Sequence, residues 1–201
     1  MSTTSLILAS KSLSRRQILE NAGVPFSWCD AGIDEDALKF SWSQTGDDPA
    51  SLALCLAKAK AGVVSVVSDN PPLVLGCDQI LVQGGKLYDK PETMAEARTH
   101  LESFSGRTHQ LIAAVCMMQS GNVVWSHVDH AEMYVRDLSD SFIDAYLDTE
   151  GERILSSVGA YLLEGTGAQL FERVRGDYFT VLGLPLLPLL EELRKRGILA
   201  S

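Results

Sequence analysis

No stretch of the 201 residues is apolar for long enough to span a membrane, and the N-terminus lacks a basic segment followed by an apolar run and a cleavage site. A cytoplasmic protein with no membrane partner is expected. Positive charge is scarce: 17 Lys+Arg stand against 26 Asp+Glu, a formal charge of −9. That balance argues against general nucleic-acid binding, which needs a basic surface. It leaves room for a small phosphorylated ligand held by a few local cations or a divalent ion. The 4 cysteines, Cys29, Cys55, Cys77 and Cys116, form no CxxC pair, so structural zinc and thioredoxin-like chemistry lose their usual signature. Buried free thiols in a reducing compartment are expected instead. Neither GxxxxGK[ST] nor G-x-S-x-G occurs, which removes the Walker A loop and the hydrolase nucleophile elbow. His127 and His130 fall on opposite faces of a predicted strand and cannot share a metal. His100 and His109 read as surface or satisfied residues.

What is present is an ordinary globular composition, 46% apolar and 21% charged. The length suits one domain over 1–201, with two lobes around a central cleft as the alternative. Leu6–Ala9 reads as a buried strand, followed by a helix that the S-x-x-Q box Ser14–Gln17 would cap. Phe26–Cys29 reads as a second strand leading into the acidic loop Gly32–Asp36. A long helix is expected from Pro49 to Val67 with apolar positions Leu52, Leu56, Ala59, Val63 and Val66. Leu73–Gly76 reads as a strand that ends at Cys77-Asp78-Gln79, before a hairpin made by Ile80–Val82 and Lys86–Tyr88. Thr93–Phe104 carries a second capping box, Thr93 with Glu96. Gln110–Met118 and Asn122–Val135 read as strands, Ser139–Leu147 as a helix, and Gly159–Gly167 as a glycine-rich loop. A strand at Gln169–Val174 and a helix at Leu184–Arg196 close the chain. Alternating strands and helices with inserted hairpins predict an α/β fold, a mixed central sheet flanked by helices.

Five places carry chemistry by residue type. A strand that ends in serines before a capped helix, with Arg15 and Arg16 in the first turn, offers N–H groups, hydroxyls and forked guanidinium donors to an anion. Arginine there opposes the helix dipole, so an anionic partner is expected to offset it. Asp78 suits a metal ligand or the base for a water nucleophile. Lys60, at the edge of the apolar stripe of its helix, and Lys90 before Pro91 suit phosphate. Glu164-Gly165-Thr166-Gly167 permits close backbone approach to a ligand.

Together these stretches resemble the Maf family of nucleoside triphosphate pyrophosphatases, the septum-formation-inhibitor-like proteins. The resemblance rests on Leu8–Arg16, Ile33-Asp34-Glu35, Leu56–Ala61, Gly76–Gln79, Lys90-Pro91, Ser105–His109, Gly159-Ala160-Tyr161 with Glu164-Gly165, Gly176-Asp177-Tyr178 and Val181–Pro185, in the family's order and spacing. It implies an inosine-triphosphatase-like architecture with an elongated sheet. It also implies hydrolysis of the α–β phosphate bond of a nucleotide, with magnesium or manganese. By the same resemblance Asp78 is the proton acceptor and Lys60 and Lys90 are catalytic cations. Ser10 and Arg15 bind substrate, Arg16 either shares that role or pairs elsewhere, and Glu35 with Asp78 holds metal. A homodimer is implied as well.

Substrate subgroups differ at the positions of Ser14, Gln79 and Glu164. Gln and Glu match the 7-methyl-GTP subgroup, whereas Ser14 replaces its aromatic residue. The resemblance therefore implies 7-methyl-GTP as substrate, with UTP, dTTP or another nucleotide as the alternative. A nucleotide-binding regulator of cell division with little catalysis is the competing class. Leu13 in place of proline and Asp89 in place of glycine are further departures.

Overall fold

A computed structural model describes residues 5–44, 48–65 and 70–200. The strands are β1 (Leu6–Ala9), β2 (Ser27–Cys29), β3 (Leu73–Gln83), β4 (Lys86–Tyr88), β5 (Thr108–Gln119), β6 (Asn122–Val135) and β7 (Phe171–Arg175). They form one mixed sheet in the order β2-β1-β3-β5-β6-β7, with β4 paired to β3. β1 pairs in parallel with both β2 and β3, while β3–β4 and β6–β7 are antiparallel. The helices are α1 (Leu13–Asn21), α2 (Glu35–Ser43), α3 (Pro49–Val64), α4 (Met94–Phe104), α5 (Asp140–Glu150), α6 (Tyr178–Val181) and α7 (Leu186–Lys195). The α/β expectation holds. Among the described residues no helix is long and apolar enough to cross a membrane.

The chain divides into two compact units, residues 1–79, 112–129 and 178–201 in the first, and 80–111 with 130–177 in the second. The first is built around Leu6, Leu8, Leu73, Leu75 and Cys77 packed with Leu19 of α1 and Leu189 and Leu193 of α7. Because side chains alternate along a strand, these β3 residues share one face, and Val74, Gly76 and Asp78 share the other. Gly76 is the reason α3 can lie on that second face. A Cβ there would stand 2.0 Å from the Ala57 carbonyl oxygen and 3.0 Å from the Ala61 Cβ. The second unit has an aromatic core in which Phe104 packs on Tyr88 and His109, and Tyr161 on His109 and Phe171.

Several local expectations change. The cap of α1 is Ser12, whose side chain accepts from the Arg15 N–H, because the Ser14 hydroxyl donates to the Leu182 carbonyl instead. The acidic loop is the start of α2: Asp34 caps it, accepting from Ala37 N at 3.0 Å, and Glu35 and Asp36 fill a first turn that favours negative charge. α3 buries Leu52, Ala53, Leu56, Ala57 and Ala61, so its inner face is rotated from the expected stripe and Val63 is exposed. The expected continuation through Val66 and Val67 lies outside the described residues. β3 runs unbroken through Asp78, so the expected strand end is a strand interior. Part of the glycine-rich loop is 3-10 helix, Thr166–Leu170. The Thr93 cap with Glu96 forms as expected, at 3.1 Å. Cys77 and Cys116 are buried, but Cys55 is exposed, and all four thiols are unpaired. His100 and His109, expected at the surface or satisfied, are both buried and only partly satisfied: His109 Nε2 is hydrogen-bonded to the Tyr161 hydroxyl, while each ring Nδ1 has no partner.

Candidate active site

Asp78 is buried to 7% side-chain exposure, and Lys60 reaches it from α3. The lysine sits between Ala57 and Ala61 on the helix, the two residues that close on Gly76, so the helical repeat points its stem at the neighbouring strand position. The ammonium donates to Asp78 Oδ1 at 2.5 Å and pairs with Glu35 Oε1 at 2.8 Å. One cation thus holds two carboxylates from separate elements, α2 and β3. Burial pushes the Asp78 carboxyl above the ordinary carboxylate range, the Glu35 charge adds to that, and Lys60 and Arg15 pull it back. A carboxylate with a raised pKa is a better proton acceptor than one in water. Burial also pushes the Cys77 thiol beneath it up to about 12, which keeps that sulfur inert at neutral pH.

Arg15 forms the second part of the site. It lies in the first turn of α1, which contains no acidic residue. Its Nε donates to the Gly183 carbonyl at 2.9 Å and its Nη1 reaches Ser10 Oγ at 3.5 Å. Ser10 is buried beside it at the end of β1. Gln79, next to Asp78, donates its amide to the Thr180 and Val181 carbonyls. Arg16 turns away from this group. Its guanidinium lies 4.1 Å over the Trp28 ring, with Nε buried and unpartnered.

The first unit therefore gathers Ser10, Ser14, Arg15, Glu35, Lys60, Asp78 and Gln79. Lys90 and Glu164 are exposed residues of the second unit. In that unit Glu150, which the sequence reading missed, is buried and accepts hydrogen bonds from Thr166 and from Arg153. Thr166 lies two residues from Glu164, so Glu150 holds the base of the glycine loop. An acid at the end of an amphipathic helix gives no sequence signal of this. α6, whose Thr180 and Val181 carbonyls accept from Gln79, was also missed, because four residues carry no helical period.

Oxygen donors of this kind suit magnesium or manganese. Among the described residues no group of three or more His, Cys, Asp or Glu side chains converges. The two carboxylates around Lys60 do not make a closed protein cage. They match the way magnesium is commonly held, by one or two carboxylates together with substrate phosphates.

The sequence matches the family model described as "Maf-like protein" over residues 5–196. It is 53% identical over 193 residues to the 7-methyl-GTP pyrophosphatase of Rhizobium meliloti (strain 1021), covering 96% of each chain. A protein of the same name from Brucella suis biovar 1 (strain 1330) is 50% identical, again over 96% of both chains. The nucleoside triphosphate pyrophosphatase of Gluconobacter oxydans (strain 621H) is 46% identical over 99% of this chain and 98% of its own. With a family match over nearly the whole length and relatives at this identity, the chain belongs to the Maf-like protein family.

Proposed function

We propose that this protein is a nucleoside triphosphate pyrophosphatase that cleaves the α–β phosphate bond, with 7-methyl-GTP as its substrate. The observation that carries the reading is the buried Asp78 held by Lys60, with Arg15 and Ser10 nearby. Asp78 Oδ1 is occupied by the ammonium, which leaves Oδ2 to take a proton from water. The water oxygen bonds to the α-phosphorus, its proton passes to Asp78, and the bridging bond breaks. The electron pair leaves on pyrophosphate, and the other product is the nucleoside monophosphate. Arg15, Ser10 and Lys60 hold the phosphates and balance their charge; for Lys90 the same role is proposed on the family likeness alone. Arg16, stacked on Trp28, is the weakest member of the expected phosphate set.

Glu35 and Asp78, together with substrate phosphates, would hold a magnesium or manganese ion, which would offset charge developing on the leaving group. Gln79 and Glu164 support 7-methyl-GTP, since a carboxylate at Glu164 accepts from guanine N–H groups and favours a cationic base. A broader nucleotide range is the second reading, favoured by Ser14 and by the general name carried by the Gluconobacter oxydans relative. Unpaired thiols support a reducing compartment such as the cytoplasm. A homodimer is proposed on the family likeness alone.

The test is pyrophosphate release, with magnesium or manganese, from 7-methyl-GTP, GTP, UTP, dTTP and CTP, for the protein and for Asp78→Asn. Preference for 7-methyl-GTP that is lost in the variant supports both reaction and substrate. Preference for UTP or dTTP keeps the reaction and overturns the substrate. Nucleotide binding without release from any of them supports the regulator instead.

A further inference from the structure

Every carbonyl of the four-residue segment Thr180–Gly183 is taken by a side chain of the candidate site. Gln79 Nε2 donates to the Thr180 oxygen at 2.9 Å and the Val181 oxygen at 3.0 Å. Ser14 Oγ donates to the Leu182 oxygen at 3.3 Å, and Arg15 Nε to the Gly183 oxygen at 2.9 Å. The consequence for Gln79 is strict. Both of its amide protons are spent, and a flipped amide would set its oxygen against two carbonyl oxygens, so only one orientation is stable. What Gln79 has left for a ligand is an acceptor. The single Ser14 hydroxyl proton is spent as well, which leaves only its lone pairs.

The segment is itself tethered. Thr180 is fully buried, and its hydroxyl donates to Asp129 Oδ2 on β6 at 2.8 Å. The chain then turns through Gly183, whose φ of +91° suits glycine. A Cβ at that turn would lie 3.4 Å from Gln79 Oε1 and 3.5 Å from Arg15 Nη2, so the backbone is packed against both side chains.

We propose that Thr180 and Asp129 are positioning residues for base selection: by anchoring the segment they lock Gln79 as an acceptor towards the nucleotide. The inference rests on the nucleotide pyrophosphatase reading and deepens it. A locked acceptor favours a base edge with adjacent N–H groups, as in guanine. It disfavours uracil, whose single N–H lies between two carbonyls. When the anchor is cut the amide is free to turn, and its donors then accommodate a carbonyl.

The experiment measures kcat/KM for 7-methyl-GTP and UTP by pyrophosphate release in the protein, Thr180→Val, Thr180→Ser and Asp129→Ala. The ratio of 7-methyl-GTP to UTP is expected to fall about three- to tenfold in Thr180→Val, the scale of one neutral hydrogen bond. Thr180→Ser, which keeps the hydroxyl, restores it. Should Thr180→Val fail to fold, Asp129→Ala, at a half-buried position, makes the same cut. An unchanged ratio, or an equal loss on both substrates, overturns the inference while leaving the pyrophosphatase reading intact. No release from either nucleotide by the unaltered protein overturns that reading first, and this inference with it.

Discussion

The Lys60 ammonium and the Asp78 carboxylate, 18 residues apart in sequence, meet at 2.5 Å because Gly76 lets the helix that carries one settle on the strand that carries the other. Both members are nearly out of solvent, at 12% and 7% side-chain exposure. The pair can therefore be tested from either side.

Asp78→Asn is expected to lower kcat by about 10²–10⁴-fold, the contribution of a positioned general base. Lys60→Met is expected to act differently. Removing the cation takes away an influence that lowers the Asp78 pKa, while burial and Glu35 still raise it. Asp78 must be ionised to accept a proton, so the acid limb of the kcat–pH profile should move to higher pH. A Lys60→Met profile that is merely scaled down, with no such move, would separate Lys60 from the titration of Asp78.

Gly76→Ala is expected to destabilise the protein by roughly 1–3 kcal/mol, the range for overpacking a tight interior. The new methyl would meet backbone, the Ala57 carbonyl, which cannot swing aside. Activity should fall as well, since α3 has to move and Lys60 moves with it. Gly62→Ala is the matched contrast: on the same helix its Cβ would find only the Met118 side chain, at 3.8 Å. A gain of about 0.5–1 kcal/mol is expected there from helix propensity. Denaturant melts of the two variants shifting in the same direction would contradict the packing account.

Much of this was legible in the sequence, and the failures have local causes. β1, α4 and the β5–β6 turn follow from apolar runs, capping residues and turn chemistry, and residue type singles out Arg15, Lys60 and Asp78, whereas Glu35 comes from the family resemblance. Only Glu35 and Asp36 of α2 fall in the expected acidic loop, and the helix beyond them carries no expectation, because none of its residues is buried and no apolar period marks it. Asp78 was placed at a strand end because a glycine and an acid look like a turn. The strand tolerates both only because α3 fills the space over Gly76 and Lys60 neutralises the carboxylate. His109 sits among polar residues in sequence, and only the folded chain surrounds it with Phe104, Tyr161 and Phe171.

That buried histidine sets a pH dependence of stability. Burial pushes its pKa from 6.5 down to about 3, and its Nε2 shares a 2.7 Å hydrogen bond with the Tyr161 hydroxyl. The folded state keeps the ring neutral, so the full contribution is present above pH 6.5. Below that the unfolded chain takes up a proton that the folded chain refuses. Stability should then fall by about 1.4 kcal/mol per pH unit between pH 6.5 and about 3. His100, also lowered by burial, adds in the same direction, whereas the raised carboxyl of Asp78 opposes it at the acid end. Unfolding free energies from denaturant titrations between pH 7.5 and 5 should decline, and His109→Gln should decline less steeply by about one proton. Equal slopes for the two proteins would place the effect elsewhere.

Glu150 offers the last test, because its carboxylate is wholly buried while its partner Arg153 is 57% exposed. Thr166 and Arg153 both donate to it, and a Cβ at Gly165 would lie 3.7 Å from both Arg153 Nη2 and Glu150 Oε1. Glu150→Ala removes the acceptor from both donors and frees the loop that carries Glu164. Since Arg153 can turn to solvent, the stability cost is expected to be modest, about 1–3 kcal/mol. On the proposed role of Glu164 in binding the base, the functional cost should appear mainly in KM, while Asp78 and Lys60, which lie in the other unit, keep their contact. Steady-state kinetics on 7-methyl-GTP together with a denaturant melt would check both effects. A variant that melts earlier but keeps its KM would make Glu150 a purely structural acid.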